Sequence, residues 1–292
     1  MYTLQPSQLI RQRYSCRTCQ TRPISDQDLR SLVNFSQQVQ VGPRGNPTRF
    51  RILPASPYDH QDLPRLGTYG FIKDPAAFIV GSIFDHPGAL EDFGFNMELL
   101  ILKATELKIG SCWLGGTFTK SRFSSLIDLQ PGESIPAVTS LGYPSDHRAW
   151  VDRVARIYAG ADRRLPWEEL FFTNSWQDTL DSDQAGDFRE PLQTVRLAPS
   201  ASNKQPWRLL RDEDQWHFYL ERTPNYPSRI FGPLLKIADL QRIDIGIAMA
   251  HFALSLEEIG LKGKWRVADP GLDRPGHAVE YIISWQAQER VK

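Results

Sequence analysis

The sequence predicts an α+β fold: two related halves packed as an intramolecular pseudo-dimer around central buried helices. The first observation behind this is a repeat. Gly94, Phe95, Met97, Leu102, Glu106, Leu107, Ile109 and Trp113 recur as Gly246, Ile247, Met249, Leu254, Glu258, Ile259, Leu261 and Trp265, all at one constant offset. The second is its upstream partner, Asn46-Pro-Thr-Arg-Phe-Arg-Ile-Leu53, which recurs as Asn203-Lys-Gln-Pro-Trp-Arg-Leu-Leu210. The third is that helical and strand patterns mix without a regular βαβ rhythm. A period this long marks a duplication, since solenoid repeats are far shorter. Two similar halves in one chain imitate a homodimer with an isologous interface. The reading divides the chain into a first half (1–172), a linker (173–188) and a second half (189–292).

The elements follow in order. A helical segment spans Pro6–Arg13. Ser25 caps a second helix that runs to Phe35. Val41-Gly-Pro-Arg-Gly-Asn-Pro47 is a turn-rich loop feeding a short strand, Phe50–Leu53. Ala77–Gly81 reads as a buried strand. Phe93–Ile109 reads as a helix apolar almost all round, which places it centrally. Ala137–Leu141 is a strand closed by Gly142-Tyr-Pro144. Thr173–Asp187 is polar and acidic and reads as a linker or loop. The second half repeats the order. A helix at Pro191–Leu197 leads into the loop Ala198–Pro206. Strands follow at Trp207–Leu210 and Trp216–Leu220, then an apolar helix at Ile243–Ile259. Strands around Trp265–Val267 and Val279–Trp285 complete it. The two apolar helices are the natural pseudo-twofold contact.

Composition narrows the function classes. The chain has 292 residues, 34 basic and 34 acidic side chains and a formal net charge of +0. A nucleic-acid binder would carry a visible basic footprint. No apolar run approaches membrane-spanning length, and Met1–Pro6 does not read as a signal peptide. Three cysteines do not make a disulfide framework. The expectation is a reduced, cytoplasmic protein without nucleic-acid or membrane partners.

Three segments can carry chemistry. Arg13-Tyr-Ser-Cys-Arg17 sets two guanidiniums around a hydroxyl, either as an anion site suited to phosphate or as solvated arginines. Ala198-Pro-Ser-Ala-Ser-Asn-Lys-Gln-Pro-Trp207 offers hydrogen bonds to a planar polar ring, or is a turn before a strand. Ser111-Cys-Trp-Leu-Gly-Gly-Thr-Phe118 has paired glycines that admit close backbone approach to a ligand, or form a tight turn.

Together and in this order, these segments resemble the FMN-dependent nitroreductase family. The matching residues are Arg13, Ser15 and Arg17, then Ala198, Pro199, Ser200, Asn203, Gln205, Pro206 and Trp207. Trp113, Gly115, Gly116 and Gly142-Tyr143-Pro144 add to them, as does Arg164 before Leu165-Pro166. The resemblance covers nearly the whole chain and implies a nitroreductase-like fold. One departure is informative. The family carries both long motifs in one domain, whereas here Val41–Asn46 keeps only Asn46 and the intact loop sits in the second half. No Arg or Lys occurs between Arg164 and Arg189, so the second half has no counterpart to Arg13 and Arg17. The chain is similar to a duplicated, single-chain branch of the family. One complete site is expected, and higher oligomers are not required.

The resemblance also implies roles. Arg13 and Arg164 hold the FMN phosphate, with Ser15 assisting. Arg17 lies near the pyrimidine side of the ring. Backbone N–H groups around Leu114, Gly115 and Gly116 face the ring, and Pro199, Ser200, Ala201 and Asn203 reach in from the other half. No catalytic side chain is singled out, because the flavin carries the hydride chemistry. The implied activity is reduction of a nitroaromatic, quinone or similar planar acceptor by NAD(P)H. The alternative is a non-catalytic flavin-binding protein. Cys16-x-x-Cys19 lacks the further ligands a zinc site needs and reads as coincidence. His251 reads as a satisfied core or interface residue. No metal is expected, and Tyr69–Lys73 is a candidate lid or wall.

Overall fold

The computed structural model describes residues 2–55, 72–115, 120–145, 163–226, 238–276 and 278–288. Helix α1 (Pro6–Gln12) opens with proline in its first turn, where the missing N–H costs nothing. Helix α2 (Asp26–Gln38) starts at Ser25, whose side chain accepts from the Asp28 amide as the sequence predicts. Strands β1 (Arg49–Pro54) and β2 (Ala77–Phe84) pair antiparallel, with Phe50 opposite Gly81. Helix α3 (Ala89–Glu106) begins a turn earlier than predicted, behind Gly88 in the left-handed region. Then come β3 (Gly110–Leu114), α4 (Lys120–Leu126), β4 (Glu133–Ser134) and β5 (Val138–Gly142). The first sheet has the order β1-β2-β5-β3, with β4 on β2.

The second half contributes β6 (Phe171–Thr173), β7 (Ser175–Thr179), α5 (Arg189–Leu197), β8 (Trp207–Asp212) and β9 (Gln215–Glu221). It ends with α6 (Leu240–Glu258), β10 (Gly263–Arg266) and β11 (Val279–Ala287). Its sheet order is β7-β6-β8-β9-β11-β10. The four strands β8-β9-β11-β10 reproduce β1-β2-β5-β3, every pair antiparallel in both. The duplication is thus visible in topology as well as in sequence.

The helices α3 and α6 pack at the centre. Phe93, Met97, Leu100 and Ile101 share one core with Ile245, Met249 and Phe252. The contact is reciprocal. A Cβ added to Gly94 would overlap the Ile243 carbonyl oxygen, and one added to Gly246 would overlap that of Glu91. Gly94 and Gly246, like Glu91 and Ile243, are related by the repeat offset, so each helix docks on its counterpart through the same two positions. Both sit at the pseudo-twofold contact, where only glycine lets the backbones approach this closely.

Two expectations need correction. Ser111–Leu114 is not a turn but part of β3, paired with β5 from Gly110↔Gly142 to Leu114↔Val138. The segment 173–188 is not a linker: it contains β7, which pairs with β6 in the second sheet. Phe171 and Phe172, placed in the first half, also belong to that sheet, with β6 running parallel to β8. Trp176 supplies the packing that its acidic neighbours hide in the sequence. Its ring lies 5.2 Å from Phe172 and 4.8 Å from Tyr219.

Among the described residues no helix is long and apolar enough to cross a membrane. Nor does any group of three or more His, Cys, Asp or Glu among them have the arrangement to hold a metal ion.

Candidate functional site

A cavity of about 200 Å³ opens between the halves. The first half lines it with Ser15, Arg17, Cys112, Trp113, Gly115 and Ala137. Facing them is the loop Pro199–Ser202, with Leu240, Ile243, Asp244 and Ile247 of α6 completing the wall. The Ser15–Ser111 bridge and the Cys16 amide donating to the Ser111 carbonyl (2.8 Å) lock the N-terminal segment onto β3. This presents Ser15 and Arg17 on one side. Among the described residues, Arg17 Nη1 is buried and has no hydrogen-bond partner. A guanidinium nitrogen desolvated in this way calls for an acceptor.

The opposing loop is tightly wound. Ser202, Asn203 and Gln205 all adopt left-handed backbone (φ 53°, 53° and 48°), an uncommon conformation for non-glycine residues that concentrates at functional sites. Several hydrogen bonds hold it. Ser200 Oγ accepts from the Gln205 amide (2.9 Å), Gln205 Oε1 from the Leu165 amide (2.9 Å), and Asp244 from the Ala201 amide (3.0 and 3.2 Å to its two oxygens). On the first-half side, a Cβ at Gly115 would lie 2.7 Å from Leu240, so this position also keeps the halves close.

Six residues expected from the sequence line the cavity: Ser15, Arg17, Gly115, Pro199, Ser200 and Ala201. Four do not. Leu114 packs with Phe78, Phe123 and Val138 in a separate apolar cluster. Asn203 Oδ1 accepts from Arg164 Nη1 (3.3 Å), and Arg164 Nη2 reaches the Leu197 carbonyl (3.4 Å). Arg13 lines a neighbouring cavity of about 190 Å³ with Tyr14, Lys108 and Ser111. Gly116 lies outside the described residues, as does Tyr69 of the candidate lid.

Arg13 belongs to a buried network on α3. Its Nε lies 3.6 Å from Glu98 Oε1. Glu98 Oε2 accepts from Trp113 Nε1 (3.0 Å). His251 Nδ1 donates to the Thr194 carbonyl (2.8 Å), and its Nε2 lies 3.2 Å from Glu98 Oε1, one proton between them. The histidine is a satisfied interface residue, as expected. Glu98 was not anticipated. It supports Trp113, a cavity-wall residue, from behind.

The pseudo-symmetric position is built differently. Asp92 is the counterpart of Asp244 at the repeat offset. It accepts from the Arg44 amide (2.8 Å), the Asn46 amide (2.8 Å) and Asn46 Nδ2 (3.0 Å). Arg44 thus takes the place of Ala201, and its side chain lies against Gly88 and Glu91, the counterparts of the cavity-lining Leu240 and Ile243. A Cβ at Gly88 would overlap the Arg44 guanidinium. Arg44 Nη1 donates to the Ile282 carbonyl (2.6 Å) and lies 3.9 Å from Glu91. Arg242 joins Glu91 (2.6 Å) to Glu280 (2.8 Å), and Arg222 joins Glu280 (2.6 Å) to Asp239 (2.6 Å). Where one site has small residues and a cavity, the other has an ion-paired plug.

The three cysteines are buried thiols, none of them in a disulfide. Cys16 and Cys19 share a thiol–thiol hydrogen bond, and this contact, together with burial, pushes the Cys19 thiol far above its ordinary range. Such thiols are unreactive.

Two sheets that repeat one antiparallel strand order about a central helix pair, with a cavity between the halves, define a nitroreductase-type fold. The chain belongs to the family described as "Putative TM nitroreductase", whose profile matches residues 7–256. Among solved structures it is similar to a protein from Thermotoga maritima MSB8 described as a "putative nitroreductase". The two are 17% identical with a TM-score of 0.61, over 98% of this chain and 95% of that one. A nitroreductase with bound FMN from Desulfitobacterium hafniense DCB-2 is 19% identical with a TM-score of 0.42, over 50% of this chain and 92% of its own. A nitroreductase family protein from Clostridium novyi NT is 19% identical with a TM-score of 0.42, over 51% and 91%. No curated protein sequence matches.

Proposed function

We propose that the chain binds one FMN in this cavity and uses NAD(P)H to reduce a nitroaromatic, quinone or similar planar acceptor. The observation that carries the reading is Arg17. Arg17 lines the cavity and its Nη1 is buried without a partner among the described residues, while the remaining walls set apolar Leu240, Ile243 and Ile247 beside polar Ser15, Ser200, Ser202 and Asp244. Such a site fits a planar ring with polar edges. When bound, FMN supplies the hydride chemistry. The protein's part is to orient the ring, exclude water and place a cation where negative charge is favoured. Arg17 and Ser15 do this from one half, and the Pro199–Ser202 loop covers the ring from the other.

In this reading the phosphate lies towards Arg13 and Arg164. Among the described residues Arg13 Nε has no hydrogen-bond acceptor, so it retains donor capacity beside Glu98. Replacing either arginine with alanine is expected to lower FMN affinity ten- to a hundredfold, from the loss of charge-assisted bonds worth about 1.5–3 kcal/mol. Riboflavin, which lacks the phosphate, is expected to bind the parent more weakly than FMN and the double variant about as well. Fluorescence titration measures both. A parent that does not distinguish the two flavins removes the clamp.

Stoichiometry tests the asymmetry. Titrating apoprotein with FMN is expected to plateau at one per chain, because Arg44 and its ion pairs fill the counterpart site. A plateau at two would falsify this. For turnover, one ring face serving both substrates predicts parallel double-reciprocal plots. A bound flavin that neither NADH nor NADPH reduces leaves a flavin-binding protein without catalysis.

A further inference from the structure

The two halves contain an internal control. Asp92 and Asp244 occupy equivalent positions near the start of α3 and α6, and each holds the loop that crosses it through a backbone amide. Asp92 receives three hydrogen bonds, spread over both oxygens. Among the described residues, Asp244 receives one donor, the Ala201 amide, shared between its two oxygens. A loop staple alone would need no less at one site than at the other. The difference is what lies beside them: Asp92 faces the plugged site, and Asp244 lines the cavity. Its residue is 3% exposed, so bulk water does not supply the missing partners.

We propose that Asp244 is a specificity-determining residue of the cavity, donating its carboxyl proton as a hydrogen bond to an acceptor atom on the bound ring. The inference rests on the flavin reading, and it adds a contact from α6 to those of the Arg17 side. Arg17 and Ser15 stand across the cavity, and the Cys112 thiol also lines it. Burial pushes the Asp244 carboxyl well above the usual carboxylate range; the Ala201 amide opposes this and the nearby Asp239 adds to it. Tyr226, whose hydroxyl bonds to Ser202, is pushed up to about 12, by burial first, so it brings no charge to Asp244. The acid form therefore persists to higher pH than for an exposed aspartate. The ionised form would offer the ring a second acceptor and a repelling charge instead of a donor.

The test uses riboflavin, which isolates the ring from the phosphate, and follows flavin fluorescence across a pH series. Parent affinity is expected to fall about tenfold as pH rises through the Asp244 titration, the loss of one buried hydrogen bond. Asp244→Asn keeps an acceptor for Ala201 and a donor for the ring but cannot ionise. It is expected to bind like the acid form of the parent at every pH. Asp244→Ala is expected to bind at least tenfold more weakly throughout. A parent whose affinity does not change with pH, or an Asn variant that titrates like the parent, overturns the role of Asp244 and leaves the flavin reading standing. A parent that binds neither riboflavin nor FMN overturns the flavin reading itself.

Discussion

Gly246→Ala is expected to disrupt the packing of the two halves, and Gly94→Ala to do the same. In an exposed helix the exchange of glycine for alanine stabilises by about 0.5–1 kcal/mol, because alanine loses less backbone entropy. Here the sign reverses. The new methyl would overlap a backbone carbonyl, Glu91 for position 246 and Ile243 for position 94. A side chain in the way could rotate; a helix carbonyl cannot. The helices must therefore separate along the line that holds the shared core together. Overpacking a core commonly costs about 1–3 kcal/mol, and a backbone clash at the central contact belongs at or above the upper end. About 3 kcal/mol corresponds to a Tm drop of about 6–12 °C in a chain of this size. Thermal unfolding followed by circular dichroism measures it. Because the two contacts are pseudo-symmetric, the variants should suffer alike. Their double variant should cost less than the two losses together, since either one already opens the shared interface. A stabilised Gly246→Ala would show that the helices do not pack through these positions.

The duplication was legible because the axis constrains it. The glycines at 94 and 246 cannot change without separating the helices, so they persist in both copies and anchor the repeat in the sequence. The helices α3 and α6 were legible for a related reason: they are buried on nearly every face, so their apolar runs stand out. Strand β7 was not legible. Only Trp176 marks its packed side, while Asp178 and its neighbours present the polar character of a loop.

The candidate site was partly legible. Ser15, Arg17, Gly115 and the Pro199–Ala201 stretch were found because their chemistry is local to short motifs. Asp92 and Asp244 were missed although they share the repeat offset and sit two residues before the glycines. One aspartate on a helix reads as a solvated charge, and only the fold brings each one under a loop amide. Arg44 was missed because its role lies in what it fills. The sequence showed a loop that had lost its serine, whereas the structure shows a side chain occupying the lost site. Glu98 left no trace in the repeat at all, since its counterpart is Ala250 and that of His251 is Leu99.

Glu98→Ala is expected to have the second large effect. The carboxyl is fully buried on α3 and is the meeting point of Arg13, Trp113 and His251. Removing it leaves the Arg13 guanidinium without its counter-charge, and an indole N–H and an imidazole nitrogen without their hydrogen-bond partner. Breaking a buried ion pair from one side costs about 3–5 kcal/mol, mostly from the charge left behind. Glu98→Gln should cost less, because an amide oxygen still accepts from Trp113 while the charge is lost. Restoring polarity without charge thus separates the hydrogen bonds from the ion pair, and denaturant midpoints for the three proteins rank them. The effect should also reach the cavity. Trp113 forms part of its wall and is held by Glu98 alone among the side-chain hydrogen bonds described for it. In Glu98→Ala the indole loses that tether, so riboflavin affinity should fall under conditions where the variant remains folded. An Ala variant as stable as the parent would mean that Arg13 and His251 find other partners on their own, and that the network does not join the halves. Unchanged riboflavin binding in a folded but destabilised variant would mean that Trp113 is positioned by packing against Phe93, at 6.4 Å between ring centres, instead of by its hydrogen bond.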